Sequence, residues 1–439
     1  MSANEPSLES WLEVLLQRHP DEIDLGVERV RSVAETLDLA APDSLVITVA
    51  GTNGKGSSVA MLAAIYQAAG YAVGTYTSPH LHRFNERIQI QAQPAEDAEI
   101  IAAFEAIDHA AGDTRLTYFE VATLAALWVF SRHSLDVVIL EVGLGGRLDA
   151  VNLVDADACL ITAIDVDHQE WLGDDRENVG REKAGVMRPG RPCVCSDRRV
   201  PTSVIAHANA LGTPLRRLGR DFDWRDDLDG KNDQAWWFLP EGSGKAEALA
   251  MPPLPLAGRY QRDNASGVLA LVGWLGERCP VSRDQMIKGL QATHHPGRMQ
   301  RLQTQSGNWL LDVAHNPHAA GAVAQALSKT GQVCVFAVMT DKDVAGMIAP
   351  LQEWVARWVL PPLSVARALE PHALAEALQQ AGVASEAIYL SDSMAQALQK
   401  AESFHQNGTE EALICGSFYT VAEALTALKE TDFQTMDEG

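Results

Sequence analysis

Eight residues, Ala50-Gly51-Thr52-Asn53-Gly54-Lys55-Gly56-Ser57, have the makings of a phosphate cradle. Gly51, Gly54 and Gly56 let the backbone turn tightly and bring its N–H groups close to anionic oxygens. Lys55 supplies a charge for β- and γ-phosphates, and Ser57 or Ser58 a hydroxyl. The spacing departs from G-x-x-x-x-G-K-[ST], because Val49 holds the first glycine place and Gly56 follows Lys55 directly. A glycine-rich turn without a ligand is the competing reading. Strand, loop, lysine, hydroxyls and helix fall here in the order a ligand would need, so a phosphate loop of another type is expected.

Other chemistry-bearing residues stand at ends of apolar runs. Glu141 closes the run DVVIL, at what would be the C-terminal edge of a parallel strand, where open α/β sheets bind ligands. Capping or pairing with an arginine is its structural alternative. Ser78 follows YAVGTYT and His168 follows ITAIDVD; from the residues alone they read as a turn serine and a loop histidine. Lys183, in R-E-K-A-G, reads as a solvated helix charge. Tyr118 and Phe119 beside Glu120 suit a flat heterocycle with polar edges, and equally a buried helix start.

The elements that must hold these residues are strands with continuous apolar faces: 45–50, 71–77, 136–143, 158–165 and 191–196. Such runs suit a parallel sheet covered on both sides. A helix over 57–69 carries Val59, Leu62, Ala63 and Tyr66 on one stripe, with Gly70 as its C-terminal cap. The stretch 221–255 reads as a surface hairpin. A second series of runs occupies 308–316, 333–339, 357–363 and 412–417, beyond a break at Pro296-Gly297. Two α/β domains follow, 1–295 and 296–439.

A chain of 439 residues exceeds one ordinary core, and a net charge of −23 argues against nucleic acid or an anionic membrane as main partner. Six scattered cysteines without C-x-x-C, an acidic amphipathic N-terminus and no membrane-length apolar run point to a reduced, cytoplasmic protein.

The loop A-G-T-N-G-K-G-S resembles that of the Mur-ligase superfamily, specifically its folylpolyglutamate synthase/dihydrofolate synthase members, in which Gly follows the Lys. The resemblance continues through Ser78-Pro79-His80-Leu81, Leu116 to Glu120, Leu140 to Asp149, Asp167-His168, Gly180 to Gly185, Pro296-Gly297-Arg298, Asp312 to Pro317 and Cys415 to Phe418. These blocks span nearly the whole chain in the family's order. The resemblance implies a P-loop parallel-sheet ATPase domain followed by a smaller Rossmann-like domain. It also implies an ATP-dependent ligase that activates a pterin-linked carboxylate as an acyl phosphate and joins L-glutamate to it. Dihydropteroate and reduced folates would be the acceptors, and a monomer is expected.

The resemblance carries residue roles as well. ATP would be held by Thr52, Asn53, Gly54, Lys55, Gly56, Ser57, Asn264, Arg298 and Asp312, with His315 close by, and clamped between the domains. Ser78, Glu141 and His168 would bind magnesium, and a carbamylated Lys183 would support a second ion. Lys55, Lys183 and His315 are the implied catalytic residues. The pterin would lie against Glu22, Ile23, Asp24, Leu25, Thr117, Tyr118, Phe119, Glu120, Leu148, Asp149 and Ala150. A peptidoglycan-precursor Mur ligase is opposed by Gly56 and by the short N-terminus. A GTP switch is opposed by Thr340-Asp341-Lys342-Asp343, which does not fit N-K-x-D.

Overall fold

The computed structural model of the chain describes residues 7–19, 23–226, 235–242, 248–304, 307–404, 411–429 and 433–435. The chain divides into two compact units, Met1–Leu254 with Arg262–Thr293, and Pro255–Gln261 with His294–Gly439.

In the first unit the described residues form an eight-stranded sheet. Its spatial order is Gln93–Pro94, Ile88–Ile90, Val73–Tyr76, Val137–Glu141, Leu45–Ala50, Ala158–Ile161, Cys193–Cys195 and Leu215–Arg217. Neighbours from Val73–Tyr76 onward run parallel, and the two short edge strands pair antiparallel. Leu45–Ala50 lies inside this sheet and is buried at every position, which is why its run is apolar without alternation. The helix after it spans Lys55–Ala68, starting two residues before the expected 57, because Gly54 takes the N-cap and Lys55 winds into the first turn. Its end matches expectation: Gly70 N–H donates to Gln67 O at 2.9 Å and Tyr71 N–H to Tyr66 O at 3.1 Å, the bonds of a Schellman cap. Helix Arg283–Gln291 packs on it so closely that a Cβ at Gly289 would lie 2.4 Å from Ile65 Cα.

The expected hairpin at 221–255 has a third strand. Asp223–Asp226, Trp236–Leu239 and Leu249–Met251 pair antiparallel, with Trp236 and Phe238 turned inward.

The second unit has, among the described residues, a seven-stranded sheet. Its order is Ile388–Leu390, Val355–Leu360, Gln332–Phe336, Glu411–Cys415, Asn308–Asp312, Gln300–Thr304 and Phe433–Thr435. The first five are parallel and the last two antiparallel. Both units are thus α/β with mostly parallel sheets. Among the described residues no helix is long and apolar enough to cross a membrane.

Candidate active site

The phosphate loop leaves the C-terminal end of Leu45–Ala50 with Gly51 at φ 154° and Gly54 at φ 91°, conformations an L side chain rarely adopts. It is pinned to the exit of the neighbouring strand. Thr52 N–H donates to Ala163 O at 2.7 Å, Thr52 Oγ1 to Asp165 O at 2.8 Å, and Thr162 Oγ1 to Asn53 O at 2.8 Å. Lys55 Nζ lies back across the loop, donating to Gly51 O at 3.0 Å and Thr52 O at 3.2 Å. Ser58 is fully buried and donates its hydroxyl to Gly54 O at 2.9 Å. The first turn of the helix has no acidic residue, so its positive end stays available to anions. The Asn264 side chain reaches the same loop, since a Cβ on Gly54 would stand 2.5 Å from Asn264 Oδ1.

Lys183 is not a solvated helix charge but is only 3% exposed. Burial is the main force lowering its pKa to about 7; Lys55 adds to this, while Asp167 and Asp149 oppose it. Burial likewise pushes the Asp149 carboxyl up to about 6, against backbone N–H groups of Leu144, Val151 and Gly143 and the charge of Lys55. Two lysines and two aspartates from four segments thus share one electrostatic neighbourhood beside the phosphate loop. Backbone packing holds it together: Arg147 N–H donates to Glu182 O at 2.8 Å, and a Cβ on Gly146 would be 3.1 Å from Lys183 Cα. Asp167 is the member that sequence reasoning passes over; its signal is a carboxylate beyond a strand end beside His168.

Glu141, 4% exposed, ends its strand in register with Val49, and its Oε2 accepts Ser78 N–H at 3.2 Å. The structure therefore brings Ser78 and Glu141 together. His168 lies beyond Ala158–Ile161, on the other side of Leu45–Ala50 in the sheet order, with φ 50° and its N–H bound to Asp167 Oδ1 at 2.8 Å. Among the described residues no three His, Cys, Asp or Glu side chains group as a metal centre. A hydroxyl, a carboxylate and an imidazole nevertheless suit a hard divalent cation that fills its remaining places with phosphate oxygens and water.

The segments assigned to a pterin are physically linked. Arg29 pairs with Asp24 and, at 2.8 Å, with Glu120, while Gly26 N–H donates to Leu148 O at 3.2 Å. Glu22 lies outside the described residues. Thr117 and Glu120 build a capping box for helix Tyr118–Phe130 and are both buried. Ile23, Asp24, Leu25, Tyr118, Phe119 and Leu148 keep partial exposure, whereas Asp149 and Ala150 are buried. Arg29, the organiser of this corner, was not among the candidates; only the acidic residues around it hint at its role.

In the second unit, Asp312 ends Asn308–Asp312 and accepts N–H groups from Met299 at 3.0 Å and Ala314 at 2.9 Å. Burial raises its pKa, and the Arg298 charge counters that. The Arg298 guanidinium carbon sits 5.3 Å from the Phe418 ring centre, and the His315 ring 5.6 Å from the same ring. Asn316 caps helix Pro317–Ala326 by accepting Ala319 N–H at 2.9 Å. Arg298, Asp312 and His315 thus meet around one strand end and one aromatic ring.

Two families match the chain: the Mur ligase middle domain over residues 49–272 and the Mur ligase, glutamate ligase domain over residues 297–418. The dihydrofolate synthase/folylpolyglutamate synthase of Escherichia coli (strain K12) is 40% identical over 425 residues, covering 96% of this chain and 95% of that protein. The structure of E. coli FolC in complex with DHPP and ADP, also 40% identical, superposes with a TM-score of 0.86 over 97% of this chain and 98% of that one. A bifunctional folylpolyglutamate synthase/dihydrofolate synthase with Mn, AMPPNP and L-glutamate bound is similar too. It has 40% identity and a TM-score of 0.85, covering 96% of this chain and 98% of that one.

Proposed function

The chain belongs to the Mur ligase superfamily, in its dihydrofolate synthase/folylpolyglutamate synthase family, and we infer that it performs both syntheses at one site. It is an ATP-dependent ligase. The carboxylate of a pterin-linked acid attacks the γ-phosphorus of ATP, giving an acyl phosphate and ADP. The amine of L-glutamate then adds to the acyl carbon, phosphate leaves, and an amide remains. Dihydropteroate becomes dihydrofolate this way, and folates gain further glutamates. The near-full-length likeness to the E. coli enzyme carries this reading.

The family resemblance implies the residue roles, and the chemistry of the side chains supports them. The N–H groups of Thr52 to Ser57 cradle the phosphates, Lys55 swings from the loop carbonyls onto the transferring group, and Asn264, Arg298 and Asp312 hold the nucleotide. Ser78, Glu141 and His168 hold magnesium, which when bound neutralises phosphate charge. Tyr118 and Phe119 cover the flat pterin face, Ile23 to Leu25 and Leu148 to Ala150 its edges, with Thr117 and Glu120 completing that corner. His315, in the second unit, is the third catalytic residue of this reading, beside Lys55 and Lys183. The enzyme acts as a cytoplasmic monomer.

Lys183 is carbamylated in this reading and supports a second magnesium ion. A buried lysine with a pKa of about 7 is partly neutral at physiological pH, and the neutral amine is the form that adds carbon dioxide. Lys183→Ala is then nearly inactive, and a short carboxylic acid partly restores it. A 13C-labelled carbamate signal, absent from the variant, tests the modification directly.

The purified protein, given ATP, dihydropteroate and L-glutamate, should release phosphate only when both acid and amine are present. Release with neither would mark a nucleotide switch instead. Tetrahydrofolate in place of dihydropteroate tests the second activity.

A further inference from the structure

Arg87 ends the short turn Phe84–Arg87 ahead of the edge strand Ile88–Ile90, and it is 8% exposed. Its Nε donates to His80 Nδ1 at 2.8 Å, and its guanidinium carbon lies 5.7 Å from the Phe84 ring centre and 5.4 Å from that of Tyr118. Among the described residues no carboxylate pairs with it, and Nη1 and Nη2 have no acceptor. The adjacent Glu86 is committed to the N–H groups of Leu81, His82 and Arg83. Arg29, Arg176 and Arg188, also largely covered, each hold a carboxylate. Burying a guanidinium without a counter-charge is costly, so an arginine fixed by two rings and an imidazole is poised for an anion brought from outside.

Its position indicates which anion. Tyr118 belongs to the pterin corner, and Arg87 O accepts Thr77 N–H at 2.9 Å, next to Ser78. Arg87 therefore lies between the groups assigned to the pterin and those assigned to the metal, where the carboxyl end of the acceptor must be. We propose that Arg87 binds a carboxylate of the acceptor acid, pairing Nη1 and Nη2 with its two oxygens. This rests on the functional reading above, and the incoming L-glutamate is the other carboxylate source to be separated from it.

Titration calorimetry with dihydropteroate and with its uncharged methyl ester tests the pairing. The wild type should bind the acid more tightly, while Arg87→Gln should lose about 10- to 100-fold for the acid and almost nothing for the ester. In turnover, the KM for L-glutamate should stay within about twofold of wild type. An undiminished preference for the acid, or a loss confined to L-glutamate, overturns the proposal. Arg87→Lys keeps the charge between the rings and covers the case in which the glutamine variant does not fold. It should weaken the acid preference about tenfold through loss of the paired donors, and no weakening again overturns the proposal. A wild type that binds neither acid nor ester fails the functional reading itself, which is a different result.

Discussion

Gly54 and Asn264 meet without room for another carbon: a Cβ on Gly54 would stand 2.5 Å from Asn264 Oδ1. The loop and the helix Arg259–Trp274, far apart in the chain, are fitted to each other here. Gly54→Ala would also have to hold φ 91°, a strain of about 1 kcal/mol or more. The expected outcome is a KM for ATP raised at least about tenfold with a much smaller change in melting temperature. An unchanged KM would detach this pair from nucleotide binding.

Lys55→Ala should lower turnover by about two orders of magnitude, the usual result of losing a charge contact to a transition state. Its Nζ rests on loop carbonyls, so removal should leave folding almost unaffected. Near-wild-type turnover would mean the loop does not serve phosphoryl transfer.

Glu141→Gln keeps shape and an acceptor for Ser78 N–H while removing charge. Activity should fall sharply and recover in part at higher magnesium, with stability little changed. A variant that unfolds more easily yet keeps its magnesium dependence per folded molecule would give Glu141 a structural role.

Asp149 supplies a pH test. Its folded pKa of about 6 exceeds the usual 3.8, so the folded chain holds this proton to higher pH than the unfolded chain does. Between those values folding is favoured by protonation, and stability falls as pH rises through the window by up to about 3 kcal/mol. Asp149→Asn should remove that fall, so urea denaturation at about pH 4 and pH 6.5 should show the variant gaining relative to wild type. An equal slope in both proteins would mean that the Asp149 carboxyl is not held protonated by burial.

The strands and the loop are legible in the residues because their determinants are local. Leu45–Ala50 is buried at each position, and apolar at all but Thr48, because sheet neighbours and helices enclose it, and Gly70 announces a helix end by its own backbone freedom. What the chain order hides is convergence. Lys55, Asp149, Asp167 and Lys183 lie in separate segments, and only the folded sheet sums their charges. Burial hides in the same way: R-E-K-A-G looks solvated until Gly146 lets the backbone of the neighbouring loop close over Lys183. Arg29 and Arg87 escape notice because an arginine's meaning depends on whether a carboxylate faces it.

Gly289 gives the nucleotide site a genetic address far from its chemistry. With only hydrogen at this position, helix Arg283–Gln291 bears directly on Ile65, in the last turn of the helix that begins at the phosphate loop. A methyl group there would have to push a whole helix, because the obstacle is backbone that no rotamer change can move aside. In a random screen for folate auxotrophy, lesions at residue 289 should behave as lesions in ATP use. Compensating changes should arise where they let one of the two helices shift as a body, rather than by altering any residue that meets a substrate.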